Sequence, residues 1–263
     1  MTGVQTCALP IWQNDEAANI GTFDNLEVDL STRSGQAAAK LRPLVAAISI
    51  EFQQEWIETE QRLHQQDVLG FGGIRIPNNP VESEIAVSET EKALVNLGLS
   101  GITLEPGFAL SPTLGPDDPN LYPVYERCQE LNAVLALTIS VRAGTAMKYS
   151  NPEAVDSVAR RFPRLKIVIG HSCWPWVAQA IGVAYRNSNV YLHPDFYGLG
   201  CAGHQQWVEA ANTLLGEQII FGSAYPLAAV SPMVEGYRRL GFREGVLENV
   251  MYRNAARVLG IEP

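Results

Sequence analysis

From Val68 to the end, short apolar runs alternate with helix-length amphipathic stretches, and this serial alternation constrains the fold more than any other feature. The runs cover residues 68–74, 101–104, 133–139, 166–169, 189–192 and 218–221, each bounded by Gly, Pro or Asn. The helix candidates lie at 86–98, 119–131, 152–162, 174–187, 203–216 and 230–240. Strands that read as unbroken apolar runs are covered on both faces, which is the condition of a parallel sheet. Six βα units in series therefore predict an α/β fold with a parallel sheet. Their even spacing, with no linker and no second-domain signal, favours a closed (β/α)8 TIM barrel over an open sheet. Asn151-Pro152-Glu153 is a helix start: Asn caps, Pro fits the first turn, and Glu complements the dipole.

Composition narrows the function classes. The chain has 263 residues, 46% hydrophobic and 18% charged, with 19 basic against 28 acidic side chains for a net charge of −9. That balance is globular, and it speaks against nucleic acid or an anionic membrane as partner, since both recruit clustered cations. No run approaches the roughly 20 apolar residues of a membrane span. Cys128, Cys173 and Cys201 are scattered, with no CxxC pair. They make neither a disulfide framework nor a zinc knuckle, so a reducing, cytoplasmic compartment is the default expectation.

The beginning reads differently. Residues 1–11 (MTGVQTCALPI) carry no charge and repeat no later pattern. They resemble the translation of a short-read sequencing adapter, which would leave residues 12–263 as one barrel domain, truncated at its N-terminus, from a metagenomic fragment. LEVDL at 26–30 is a candidate short strand, and residues 37–63 have helical spacing in two pieces.

In barrels the chemistry sits at the C-terminal ends of the strands. The residues that follow the runs are Arg75 and Asn78; Glu105; Ser140 and Arg142; His171, Ser172 and Cys173; His193, Asp195 and Tyr197; and Ser223 and Tyr225. Gly70, Gly72 and Gly73 cluster, but no G-x-G-x-x-G or GK[ST] follows a strand, so they are read as packing or bending positions. Trp174 and Trp176 are read as packing residues.

Two segments, KIVIGHSCWPW at 166–176 and IIFGSAYPL at 219–227, resemble marks of the amidohydrolase-related family of TIM-barrel metal-dependent hydrolases and decarboxylases. YRNAARVLG at 252–260 resembles that family's closing helix, and GPDDPNLYPVYERCQELNA at 115–133 its approach to the middle strand. The resemblance implies hydrolysis of a lactone, ester or amide, or decarboxylation, of a small carboxylated substrate. It implies His171 as proton carrier with Asp195 as its helper, Arg142 as an anion clamp, and Ser172, Tyr197, Ser223 and Tyr225 as substrate contacts. It also implies a divalent metal, zinc or manganese. Against the metal, no H-x-H pair is present, Leu137 stands at the expected middle-strand His, and Ala224 replaces the Asp of F-G-S-D-Y-P. No residue is therefore assigned as a metal ligand, and a homo-oligomer is left open.

Two other readings stay open. Ile169–Trp174 resembles a G-x-S-x-G nucleophile elbow, with Ser172, Asp195 and His204 in order, although Trp174 replaces the final Gly. A barrel with Leu137 and Ala224 at ligand positions also suits a non-catalytic binder of a small molecule or protein.

Overall fold

The computed structural model describes residues 69–107, 114–141, 146–225 and 227–261. The candidate strand at 26–30, the helical segment at 37–63 and Arg142 lie outside these residues. Five strands form one parallel sheet in chain order: β1 (Phe71–Gly73), β2 (Gly101–Leu104), β3 (Val134–Thr138), β4 (Lys166–Gly170) and β5 (Val190–His193). Helices separate them: α1 (Pro80–Glu91), α2 (Tyr122–Glu130), α3 (Glu153–Arg161) and α4 (Val177–Arg186), followed by α5 (His204–Thr213) and α6 (Val230–Arg238). The final helix, α7, is Asn254–Leu259.

Five strands appear where the apolar runs are: the runs at 68–74 and 133–139 are trimmed at both ends, 101–104 is unchanged, 166–169 extends to Gly170 and 189–192 shifts by one residue. The run at 218–221 differs. Among the described residues it contributes a single parallel bridge, Leu192 to Ile219. Two backbone bonds hold it there, Leu192 N–H to Gln218 O and Ile220 N–H to Leu192 O, both 2.8 Å. The next amide, Phe221 N–H, turns away to Val250 O. The first helix begins at Pro80, earlier than residue 86, because Asn79-Pro80 repeats the start signal seen at Asn151-Pro152. The Asn79 side chain accepts from Glu82 N–H at 3.0 Å, as Asn151 does from Glu153 N–H at 2.9 Å.

The register sorts every strand residue to one of two faces. Leu104, Leu137, Ile169 and Leu192 share one row, and Ile102, Leu135, Ile167 and Val190 share another. All eight belong to the large core between sheet and helices, together with Trp207, Tyr125 and Tyr237. The alternate rows hold Gly101 and Val134; Thr103, Ala136, Val168 and Tyr191; then Thr138, Gly170 and His193. These belong to the opposite, inner face. There Val134, Val168 and Ile220 pack with Ala255 and Val258 of α7. Thr138, Gly170 and His193 line a cavity in the same face.

Side-chain amides stitch the strand starts to the preceding helices. Asn189 Nδ2 donates to the carbonyls of Ala159, Phe162 and Leu165. Gln218 Nε2 does the same for Ala184, Asn187 and Val190. Each satisfies backbone acceptors freed at a helix end.

The inner face is closely fitted at one glycine. A Cβ on Gly101 would run into the Phe71 ring and the Val134 carbonyl. Gly101→Ala is expected to lower unfolding free energy by about 1–3 kcal/mol, the usual cost of overpacking. Urea denaturation checks this; an unchanged midpoint would show that Phe71 does not fill that space.

Candidate active site

The strand ends converge around one hydrogen-bonded pair. His171 follows β4 directly, and Asp195 lies two residues beyond β5. Asp195 Oδ2 sits 2.6 Å from His171 Nδ1 and also accepts the His171 backbone N–H at 3.0 Å. The carboxylate is 1% exposed and the imidazole side chain 18%. One oxygen thus fixes both the backbone and the ring of His171. Acceptance by a carboxylate assigns the Nδ1–H tautomer, which leaves Nε2 for chemistry.

This contact demands unusual backbone. His171, Ser172 and Cys173 have φ of 62°, 47° and 58°, a left-handed turn, and Asp195 has φ 48°. Such residues are held only where surrounding bonds over-determine them, and they cluster at functional sites. The bonds are present. Cys173 N–H reaches Ile139 O at 3.0 Å, Trp174 N–H reaches His171 O at 3.0 Å, and the buried Tyr237 hydroxyl donates to Asp195 O at 2.7 Å. Gly198 makes room for that hydroxyl, since a Cβ there would collide with it. Aromatic rings complete the wall. Phe196 and Tyr197 lie 5.6 and 5.5 Å from the His171 ring, and Trp174 stacks on Tyr197 at 4.7 Å.

The other expected residues fall out differently. Ser172 is fully buried, and its hydroxyl points back to Ile169 O at 3.4 Å. That removes Ser172 as a substrate contact and, with it, the serine-hydrolase reading. His204 supports the same correction: its Nδ1 sits on Cys201 O, while Asp195 belongs to His171. Tyr197 is buried in the wall behind His171. Ser223 is buried and accepts Tyr225 N–H at 3.1 Å; Tyr225 is exposed. Trp176 packs inward, donating to Ser150 Oγ at 3.3 Å. Burial pushes the Cys173 thiol well above its ordinary pKa.

Strand parity corrects another assignment. Leu137 points to the helices, so it is not the position from which β3 reaches the barrel interior. That position is Thr138. Its hydroxyl hydrogen-bonds Glu105, one residue past β2 and only 5% exposed. Burial pushes the Glu105 carboxyl from 4.5 up to about 7, with Thr138 and the charge of His171 pulling the other way. Across the sheet, burial lowers the pKa of the His193 imidazole, which therefore stays neutral; Asp195 opposes the shift and His171 adds to it. His193 lies against Gly222, where any side chain would displace it. Glu105 was one strand-end residue among many in the sequence. Its alternation with Thr103 is the signal that marks it as inward-facing.

A parallel sheet with helices outside, an apolar inner face and acid–base side chains at the C-terminal strand ends defines a barrel enzyme of the (β/α)8 class. Residues 27–261 match the amidohydrolase family, and the chain belongs to it. Among solved structures, a TIM-barrel protein from Bordetella bronchiseptica is similar at 29% identity and TM-score 0.72, over 79% of this chain and 72% of that one. The 5-carboxyvanillate decarboxylase of Sphingomonas paucimobilis shares the fold at 20% identity and TM-score 0.61, over 80% and 71%. A dihydroxybenzoic acid decarboxylase from Polaromonas, with bound manganese and 2-nitroresorcinol, shares it at 14% identity and TM-score 0.63, over 83% and 76%. No curated protein matches the chain.

A divalent metal suits the family, but the described residues do not fit one. Among them no three His, Cys, Asp or Glu side chains converge. Ala224 offers a methyl where the resemblance implies an Asp, and Thr138 offers only a hydroxyl.

Glu105 makes a pH-dependent contribution to stability. A carboxyl whose pKa rises on folding keeps its proton while the unfolded chain has lost it. Stability is therefore lost as pH climbs from 4.5 to about 7 and stays lost above that. Glu105→Gln should gain on the order of 3 kcal/mol over wild type above neutral pH and almost nothing below the ordinary carboxylate range. Urea midpoints of both proteins across pH test this; a difference independent of pH would refute the shift.

Proposed function

We propose that the protein decarboxylates a small carboxylated substrate at the C-terminal mouth of the barrel, with His171 as the proton carrier. The observation that carries the reading is the 2.6 Å bond between His171 Nδ1 and the buried Asp195 carboxylate. It holds the ring in one orientation. A positioned imidazole of this kind suits proton transfer near neutral pH.

The reaction balances with these groups alone. The bond between the substrate carbon and its carboxylate breaks, and carbon dioxide leaves. The electron pair stays on carbon and takes the proton from His171 Nε2. The imidazole, now neutral, is reprotonated from solvent. Asp195 keeps Nδ1–H in place through both states, and Phe196 and Tyr197 restrict the ring's swing. Arg142 is proposed as the clamp for the leaving carboxylate, since a guanidinium matches it with two parallel bonds. Ser223 and Tyr225 are proposed as substrate contacts at the mouth. Hydrolysis of a lactone or ester would use the same pair in the opposite sense, with Nε2 taking a proton from water.

The test uses 5-carboxyvanillate and dihydroxybenzoates as probes. Carbon dioxide release and deuterium uptake from heavy water at the vacated carbon are measured together. His171→Asn should lose about 10²–10⁴-fold in rate while its urea midpoint stays near wild type. Asp195→Asn should fall in the same range and lose the Nδ1–H tautomer by ¹⁵N NMR. A His171→Asn protein as active as wild type ends the reading. A wild type that opens lactones but releases no carbon dioxide makes it a hydrolase, and one that does neither leaves a binding protein.

A further inference from the structure

Some glycines of this barrel are required by packing. A Cβ on Gly101 would run into the Val134 carbonyl, and one on Gly222 into the His193 ring. Gly170, the last residue of β4, is different. Its φ of −62° and ψ of 137° are open to any residue. A Cβ there would meet Leu137 O and Thr138 Cα at 3.6 Å and Thr138 Oγ1 at 3.8 Å, which are ordinary contact distances. Neither the backbone nor the packing asks for glycine at this position. A glycine inside a strand weakens it, and where packing does not demand it, it marks a place that something else approaches closely.

What the missing side chain leaves is space. Gly170 lines the inner cavity, with Thr138 and His193 beside it in the same row. Val168 lines the cavity two residues deeper on β4, about 7 Å further in. Ile220 and α7 continue the apolar wall. In the other direction Gly170 is bonded to His171, whose ring Asp195 holds. The strand end is fixed, because Gly170 O accepts Ile139 N–H at 3.1 Å. The same row carries a second observation. His193 is more than nine-tenths buried, and its Nε2 has no hydrogen-bond partner among the described residues. Buried polar atoms are ordinarily satisfied, so an open one on a cavity-lining residue suits a cavity that a ligand enters.

We propose that Gly170 is a specificity-determining residue: by carrying no side chain it lets the apolar body of a small carboxylate descend beside His171, between Thr138 and His193, onto Val168 and Ile220. This rests on the functional reading above only for the class of ligand. A side chain at this position fills the passage and leaves room only for carboxylates without a body. Selection by size thus sits one residue from the proposed proton carrier, on a strand end that does not move with the ligand.

Benzoate is the probe and acetate its control, since both bind without reacting. Titration calorimetry should show wild type holding benzoate at least about tenfold tighter than acetate, the gain from burying an apolar ring. Gly170→Ala should keep a urea midpoint at or above wild type, because the methyl fits and the unfolded chain loses freedom. Gly170→Val should weaken benzoate about tenfold or more and leave acetate within a few-fold. In methyl-labelled wild type, benzoate should shift the Ile220 δ1 resonance, assigned by its absence from Ile220→Val, and acetate should not. Gly170→Val that binds benzoate as wild type does, an Ile220 methyl unmoved at saturation, or a wild type without preference for benzoate overturns the proposal. Should Gly170→Val fail to fold, the Ile220 methyl and Gly170→Ala still decide it. Turnover enters none of these readouts, so failure of the decarboxylase reading shows separately, in the carbon dioxide assay.

Discussion

One carboxylate oxygen organises the mouth of this barrel. Asp195 Oδ2 accepts from the His171 backbone and from its ring, and the turn around it takes the left-handed form that satisfies both. A single point of attachment would let the imidazole swing. Two bonds from one residue tie ring orientation to backbone position. The strain of four left-handed residues is carried by neighbouring bonds, among them the Tyr237 hydroxyl on the Asp195 carbonyl. Gly198 and Gly222 belong to the same construction, each leaving space for a ring that touches the site. Tyr237 and Gly198 thus hold the Asp195 backbone in place.

The sheet supplies the frame on which that pair is hung. Parallel register puts Leu104, Leu137, Ile169 and Leu192 in one row against the helices and Thr138, Gly170 and His193 in the next row inside. A shift of one residue in any strand would exchange the two faces, so burial of the leucine row fixes where the polar row points. The acid–base groups are held by the hydrophobic packing behind them. The inner face remains apolar near α7 and turns polar only at the strand ends.

Placing ionisable groups in this apolar setting makes them responsive. Glu105 loses more by dehydration than Thr138 and His171 return, and its pKa rises to about 7. His193 loses hydration and stays neutral. Two carboxyl groups a few strands apart thus differ in character: Asp195 is tied by two bonds to His171, whereas burial raises the pKa of Glu105.

Much of this was legible in the chain alone. The alternation of apolar runs and amphipathic stretches determined the parallel sheet, because doubly covered strands cannot be polar. The segments around His171 and around Ser223-Ala224 pointed to the family and to His171 as the proposed proton carrier. Parity within the strands carries the signal that sets Thr103, Glu105 and Thr138 inward and Leu137 outward. Tertiary structure alone decided the rest. Ser172 and His171 are neighbours in sequence, yet a left-handed turn buries one and presents the other. Asp195 is 24 residues from His171, and only the pairing of β4 with β5 brings its oxygen to the ring. The Glu105 carboxyl is ordinary as a residue type and becomes titratable near neutrality only because folding removes its water. Local pattern sets periodicity, which belongs to the chain. Proximity and dehydration belong to the assembled fold, and the chemistry depends on both.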